Sequence, residues 1–270
     1  LCNDIIATIS FIIGTTMNWN YENEQWTKLP SHLKHLPLFT RNIDLVSIFF
    51  RFAWAIYLKV VFNTYLHLRV HGSWKTMYKQ YPKLLIISNH SSHLDAVSIA
   101  ASIPAVYWIQ LYIAAAKDYF FSNPFFTFFS QHCLGAIPID RKDKKGEAIN
   151  LIVTLLTSLD RMWLILFPEG TRSKDGKIHE FKRGVSMFSE KTQTPILFLY
   201  VDGNTRLWPK GQLWAKPGFL DIYLGPVHSP APIEIVYKAY KVWAKTINPN
   251  AFADDETQDP SQIEDIYYDN

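Results

Sequence analysis

Three side chains able to move protons stand within six residues: His90, His93 and Asp95, in the stretch SNHSSHLDAVSI from Ser88 to Ile99. The apolar run Leu84–Ile87 precedes them directly. A helix opening near Ser91 or Ser92 caps itself with a serine hydroxyl. Asp95 then falls in its first turns and can lean back toward a histidine in the preceding loop. A carboxylate so placed fixes the imidazole tautomer and stabilises the imidazolium that forms on proton uptake. His90 is the better partner. His93 is two residues from Asp95, and positions i and i+2 on a helix point to different faces. Alone, the pattern also fits a capped polar turn or half of a metal site.

Two further stretches carry anion-binding chemistry. In LILFPEGTRS, Leu164–Ser173, an apolar strand runs into a sharp turn. Ligands of open α/β sheets gather at such strand ends. Gly170 permits an unusual backbone angle, Arg172 offers a planar fork for phosphate oxygens, and Lys182 and Arg183 add charge soon after. In LGAIPIDRKDKKG, Leu134–Gly146, a short strand ends at Arg141, a further phosphate contact, and the following lysines form a basic loop. Taken singly, each stretch also fits a solvated turn.

The elements that must position these groups alternate along the chain. Strands are predicted at Leu84–Ser88, Ala105–Ile109, Ala114–Ala116, Ala136–Ile139, Met162–Phe167, Ile196–Val201 and Leu220–Leu224. Helices are predicted at Asp95–Ile103, Pro124–Gln131, Gly146–Leu159 and Ile233–Ile247. Alternation of this kind argues an α/β fold: a mixed, largely parallel sheet flanked by helices. Ahead of it, Ile43–Leu68 is dense in aromatic and aliphatic residues and broken by Arg51 and Lys59. Two central bases make a spanning helix costly, at about 2.5–3.5 kcal/mol each. A helix lying in a membrane interface, its two bases at the headgroups and its apolar side below, is the expectation. Ile5–Ile13 is too short for a span and lacks a basic n-region. The expected organisation is therefore an N-terminal segment 1–68 with the interface helix at 43–68, an α/β domain at 69–250, and a disordered tail at 251–270.

Charge supports an anionic partner. Seven of the 24 acids lie between Asp254 and Asp269, so the first 253 residues hold 27 bases against 17 acids. A basic, aromatic-rich body suits a phosphate-bearing ligand, a membrane surface or nucleic acid. Two distant cysteines, Cys2 and Cys133, exclude a disulfide framework or zinc knuckle, and no cluster beyond the dyad has metal-ligand spacing.

The order NHSSHLD, GAIPIDR, FPEGTRS and TPILFLYV resembles the four motifs of the glycerophospholipid acyltransferase family, with the nearest likeness to 1-acylglycerol-3-phosphate O-acyltransferases. The likeness covers about residues 70–225. It implies that His90 is the general base on an acceptor hydroxyl that attacks an acyl thioester, with Asp95 orienting it and His93 at a variable position. It further implies acceptor binding by Glu169, Gly170, Thr171, Arg172 and Lys182, acceptor phosphate binding by Gly135 and Arg141, and an acyl site shaped near Pro195. No metal or cofactor is implied; acyl-CoA or acyl carrier protein is the co-substrate. The implied acceptor is a lysophospholipid, lysophosphatidic acid first, and the implied partner is an anionic membrane surface, not nucleic acid. The implied location is a membrane, with monotopic or peripheral attachment and the site on the cytoplasmic side. Ser-Ser-His stands where such enzymes often carry Gln-Ser, and Pro138 where many have Phe, so another lipid acceptor or a phospholipid transacylase is the alternative. A hydrolase is disfavoured by the lack of a GxSxG elbow. A non-catalytic membrane module is disfavoured because a pure binder has no use for a base.

Overall fold

The computed structural model describes residues 45–92, 94–121, 128–130, 132–139, 147–208, 212 and 214–252. In chain order the elements are α1 (Leu45–Thr64), β1 (Leu68–His71), α2 (Trp74–Gln80), β2 (Lys83–Ser88) and α3 (Leu94–Ser102). A 3₁₀ turn (Ala105–Gln110), β3 (Leu111–Ala116), α4 (Lys117–Phe120), β4 (Ala136–Ile139), α5 (Glu147–Ser158) and β5 (Met162–Leu166) follow. The chain closes with α6 (Gly184–Thr192), β6 (Ile196–Asp202), α7 (Asn204–Leu207), β7 (Leu220–His228) and α8 (Ile233–Ile247).

The strands form a seven-stranded sheet, mixed and largely parallel, as the alternation predicts. Two compact units divide the chain. One holds α1 to Leu58, Trp74–Lys83 and Ile103–Leu164; the other holds Lys59–Ser73, Leu84–Ser102 and the chain from Ile165 on. In the first, β3 pairs parallel with β4. In the second, the order is β1-β7-β6-β2, with β1–β7 and β2–β6 parallel and β6–β7 antiparallel. Leu84–Ile87 and Ile196–Val201 are buried throughout. Such unbroken apolar runs belong to strands covered on both faces. β1, four residues long and largely exposed, is an edge.

Three expectations need correction. First, Ala105–Ile109 is a 3₁₀ turn, not a strand, and the strand begins at Leu111. A short apolar run does not distinguish the two by pattern, and Pro104 before it starts a tight turn. Second, the 43–68 helix ends at Thr64, and its bases do not face outward. Arg51 is buried and donates from Nη1 to the carbonyls of Trp108 and Ile109, both at 3.2 Å. Half-buried Lys59 donates to the carbonyl of Ala101 at 3.0 Å. These carbonyls lie in the last turns of the 3₁₀ helix and α3, where oxygens have acceptor capacity to spare, that of Trp108 also taking the Leu111 N–H. The inward face thus takes the bases, together with Ala55, Leu58 and Phe62, while Phe49, Ile56, Tyr57 and Val60 are exposed. Third, the body runs past residue 250. Ala251 and Phe252 are buried, and Phe252 bridges to Ile178. The predicted helix at Pro124–Gln131 lies mostly outside the described residues, as do Ile5–Ile13 and the acidic stretch of the tail.

Candidate active site

The site begins where β2 leaves the sheet. Asn89 keeps its side chain in the ladder: Nδ2 donates to the Val201 carbonyl at 3.0 Å, and Oδ1 accepts the Val201 N–H at 2.9 Å. One amide thus does the work of a further paired strand residue and frees the chain to turn at His90.

Asp95, fully buried in the first turn of α3, accepts four hydrogen bonds. Oδ2 takes the N–H of Ser91 at 2.6 Å and of Ser92 at 2.8 Å, and faces His90 Nδ1 at 2.8 Å. Oδ1 accepts from Asn204 Nδ2 at 2.6 Å. Donors on every side are what an ionised carboxylate requires, so the proton of the neutral imidazole is assigned to Nδ1. Nε2 then carries the lone pair. The ring is partly open to solvent, at 21% of its side-chain surface, and stacks on Phe167 with centroids 4.0 Å apart. That is the arrangement of a general base: one nitrogen held by a buried acid, the other free.

The Phe167–Ser173 turn grips the His90 main chain from both sides. Glu169 Oε1 accepts the His90 N–H at 2.9 Å, and the Ser173 N–H donates to the His90 carbonyl at 2.8 Å. Glu169 Oε2 accepts the His179 N–H at 3.1 Å. Burial pushes this carboxyl up to about 7, against the two amide hydrogen bonds that favour its ionised form. Both Glu169 oxygens thus accept backbone amides beside the dyad. Gly170 has φ +72°, and a Cβ there would sit 2.7 Å from Lys182 Nζ. The lysine therefore lies over the glycine, its main-chain N–H donating to the Pro168 carbonyl at 2.9 Å, while the turn itself carries the exposed Thr171 and the half-buried Arg172.

A third segment, after β6, clasps the dyad loop at three points. Besides the Asn204–Asp95 bond, Thr205 Oγ1 lies 2.8 Å from Ser91 Oγ, and Ser92 Oγ donates to the Trp208 carbonyl at 2.8 Å. Ser92 Oγ also accepts the Leu94 N–H at 3.2 Å, as a capping serine should.

Of the predicted site residues, His90, Asp95, Glu169, Gly170, Thr171, Arg172 and Lys182 all belong to the second unit. Arg141 and His93 lie outside the described residues. Gly135 is buried at φ +61°, where a Cβ would meet Arg51 Nη2 at 2.6 Å and the Leu111 carbonyl at 2.8 Å, so its part is close packing. Sequence reasoning missed Asn89, Phe167 and Asn204. The only signals were Asn89 beside His90, Phe167 inside the FPEGTRS motif, and a buried-type polar residue directly after an apolar strand.

The profile of the Acyltransferase family matches residues 67–201, half of the chain. The chain belongs to that family. Among similar proteins, the 1-acyl-sn-glycerol-3-phosphate acyltransferase of Helicobacter pylori strain J99 is 39% identical over 118 residues, covering 42% of this chain and 45% of the relative. The human 1-acyl-sn-glycerol-3-phosphate acyltransferase alpha is 32% identical over 154 residues, 56% of this chain and 50% of the relative. The chain spans about half the length of the curated relatives it matches. The crystal structure of the 1-acyl-sn-glycerophosphate acyltransferase PlsC from Thermotoga maritima shares the fold, with a TM-score of 0.57 at 23% identity over 73% of this chain and 78% of that one. The matched segment runs from the loop before β1 to the end of β6, so it holds the dyad and the FPEGTRS turn but stops short of Asn204.

Proposed function

We propose that this acyltransferase moves a fatty acyl group from a thioester, acyl-CoA or acyl carrier protein, to the free hydroxyl of a lysophospholipid, with lysophosphatidic acid as acceptor and phosphatidic acid as product. The free Nε2 of His90, set by the Nδ1–Asp95 contact, is the observation that carries this reading. His90 takes the hydroxyl proton as the acceptor oxygen attacks the thioester carbonyl, and returns it to the departing thiolate. No acyl-enzyme is needed. Arg172, in the turn whose Ser173 N–H reaches the His90 carbonyl, and Lys182, packed over Gly170 of that turn, are assigned the charge for the acceptor phosphate. Arg141 is assigned to the same phosphate by its place in the motif order. The names of the relatives, all 1-acyl-sn-glycerol-3-phosphate acyltransferases, support the acceptor.

Attachment to a membrane is part of the proposal. Among the described residues no helix is long and apolar enough to cross a bilayer. The exposed Phe49, Ile56, Tyr57 and Val60 face of α1 offers a surface that lies on one instead.

The test is purified protein assayed with lysophosphatidic acid against three donors: acyl-CoA, acyl carrier protein and phospholipid. Transfer from a thioester that His90→Ala lowers by about 10²–10⁴-fold is expected. Normal turnover by that variant, or transfer from phospholipid alone, overturns the scheme.

A further inference from the structure

The second unit also carries a surface to which the proposed reaction assigns no part. Trp214 is 82% exposed, and Phe219 and Tyr65 are exposed as well. The loop that presents Trp214 is held in place. Tyr65 Oη donates to the Ala215 carbonyl at 3.0 Å, the Gly218 N–H donates to the Tyr65 carbonyl at 3.4 Å, and the Lys216 N–H donates to the Leu207 carbonyl at 2.7 Å. Phe219 lies between the His67 ring, 5.4 Å away, and the Arg69 guanidinium, 5.0 Å above it. Exposed Lys216 completes the set. Among the described residues two acids act on Arg69: Asp221, buried and bonded to Arg69 and His71, and Asp202, which faces Arg206 at 3.5 Å. The outer layer therefore sets aromatic rings beside cations, and both acids that act on Arg69 are themselves paired with a cation.

We infer that Tyr65, Arg69, Trp214, Lys216 and Phe219 form a docking surface for an anionic bilayer. An indole with so little cover, pinned on a short loop, belongs at the headgroup level, where amphipathic rings concentrate. Basic side chains beside it meet lipid phosphates, and the pairing of Asp221 with Arg69 and of Asp202 with Arg206 limits the repulsion an unpaired acid would bring. This inference rests on no catalytic step, and its test contains no substrate, so it stands or falls apart from the acyl-transfer scheme.

The experiment measures partition of the full chain into vesicles of phosphatidylcholine alone and of phosphatidylcholine with phosphatidylglycerol. Trp214→Ser weakens partition into both by roughly tenfold, because an apolar contact is lost whatever the lipid charge. Lys216→Gln weakens binding to the anionic vesicles by about fivefold, the factor one basic side chain contributes near such a surface, and leaves phosphatidylcholine binding unchanged. As a second readout, brominated acyl chains quench a part of the tryptophan emission that Trp214→Phe lacks. Wild-type partition by Trp214→Ser, or quenching identical in Trp214→Phe, overturns the assignment. Equal loss by Lys216→Gln on both vesicle types overturns the anionic preference.

Discussion

The main-chain N–H of His90 lies 2.9 Å from Glu169 Oε1, across 79 residues of sequence. The two motif blocks are therefore one mechanical unit: an acid in the second holds the backbone of the base in the first.

Glu169 gives this unit a pH signature. Burial raises its carboxyl to about 7, above the ordinary carboxyl value. Between that ordinary value and about 7 the folded state holds a proton that the unfolded state has released. Stability therefore falls as pH rises through this window and levels off above it, by roughly 3 kcal/mol in all. Activity runs the other way, because the ionised carboxylate grips the two amides best. Thermal melts from pH 5 to 8 should show the downward slope, and Glu169→Gln should flatten it. The same variant, with one acceptor oxygen for two amides, should lose about 10–100-fold in kcat.

Asn204 acts through Asp95. Asn204→Ala leaves a buried carboxylate oxygen without its donor, at a cost of about 1–3 kcal/mol in stability. The expected kinetic effect is a kcat drop of about tenfold with KM for both substrates unchanged. Coupling decides the matter: in the Asp95→Asn background, removing Asn204 should have little further effect on kcat. Additive losses would place Asn204 outside the dyad.

Gly170→Ala tests the turn beneath Lys182. Its φ of +72° costs an alanine about 1–2 kcal/mol, and the new methyl displaces the lysine chain end. KM for the acceptor should rise several-fold while kcat for bound substrate holds. Unfolding in urea separates lost stability from lost binding.

Arg51→Met removes the donor to the Trp108 and Ile109 carbonyls while keeping most of the side-chain volume. A loss of about 3 kcal/mol in urea unfolding is expected, from hydrogen bonds made by a charged group. Lys59→Met, at a less buried position with one carbonyl partner, should cost less.

What the sequence made legible was local. β2, α5 and α8 lie within a residue or so of their predicted bounds, because an unbroken apolar run and a 3.6-residue period survive any context. The His90–Asp95 pair was readable because five residues and a helix start bring the two together. Arg51 was misread because periodicity shows that two bases share a face without showing which way that face points. Only the carbonyl ends of other elements decide that. Trp74–Gln80 and Gly184–Thr192 were not foreseen as helices; both are short and rich in polar residues. Glu169 and Asn204 were illegible as partners of the dyad loop because their hydrogen bonds cross 79 and 109 residues.

The clasp from Asn204, Thr205 and Trp208 also sets a clock. A growing chain exposes His90 and Asp95 long before β6 is made, and at about 5–20 residues per second the wait for Asn204 is on the order of 5–20 s. During that interval the nascent protein carries the complete dyad sequence but not the clasp that braces it. A prematurely terminated chain ending at Gly203 would release a product with every motif of an acyltransferase and a carboxylate whose Oδ1 lacks the Asn204 donor, although Oδ2 keeps the Ser91 and Ser92 amides. Competence for the chemistry therefore arrives late in synthesis, after the last motif has been read.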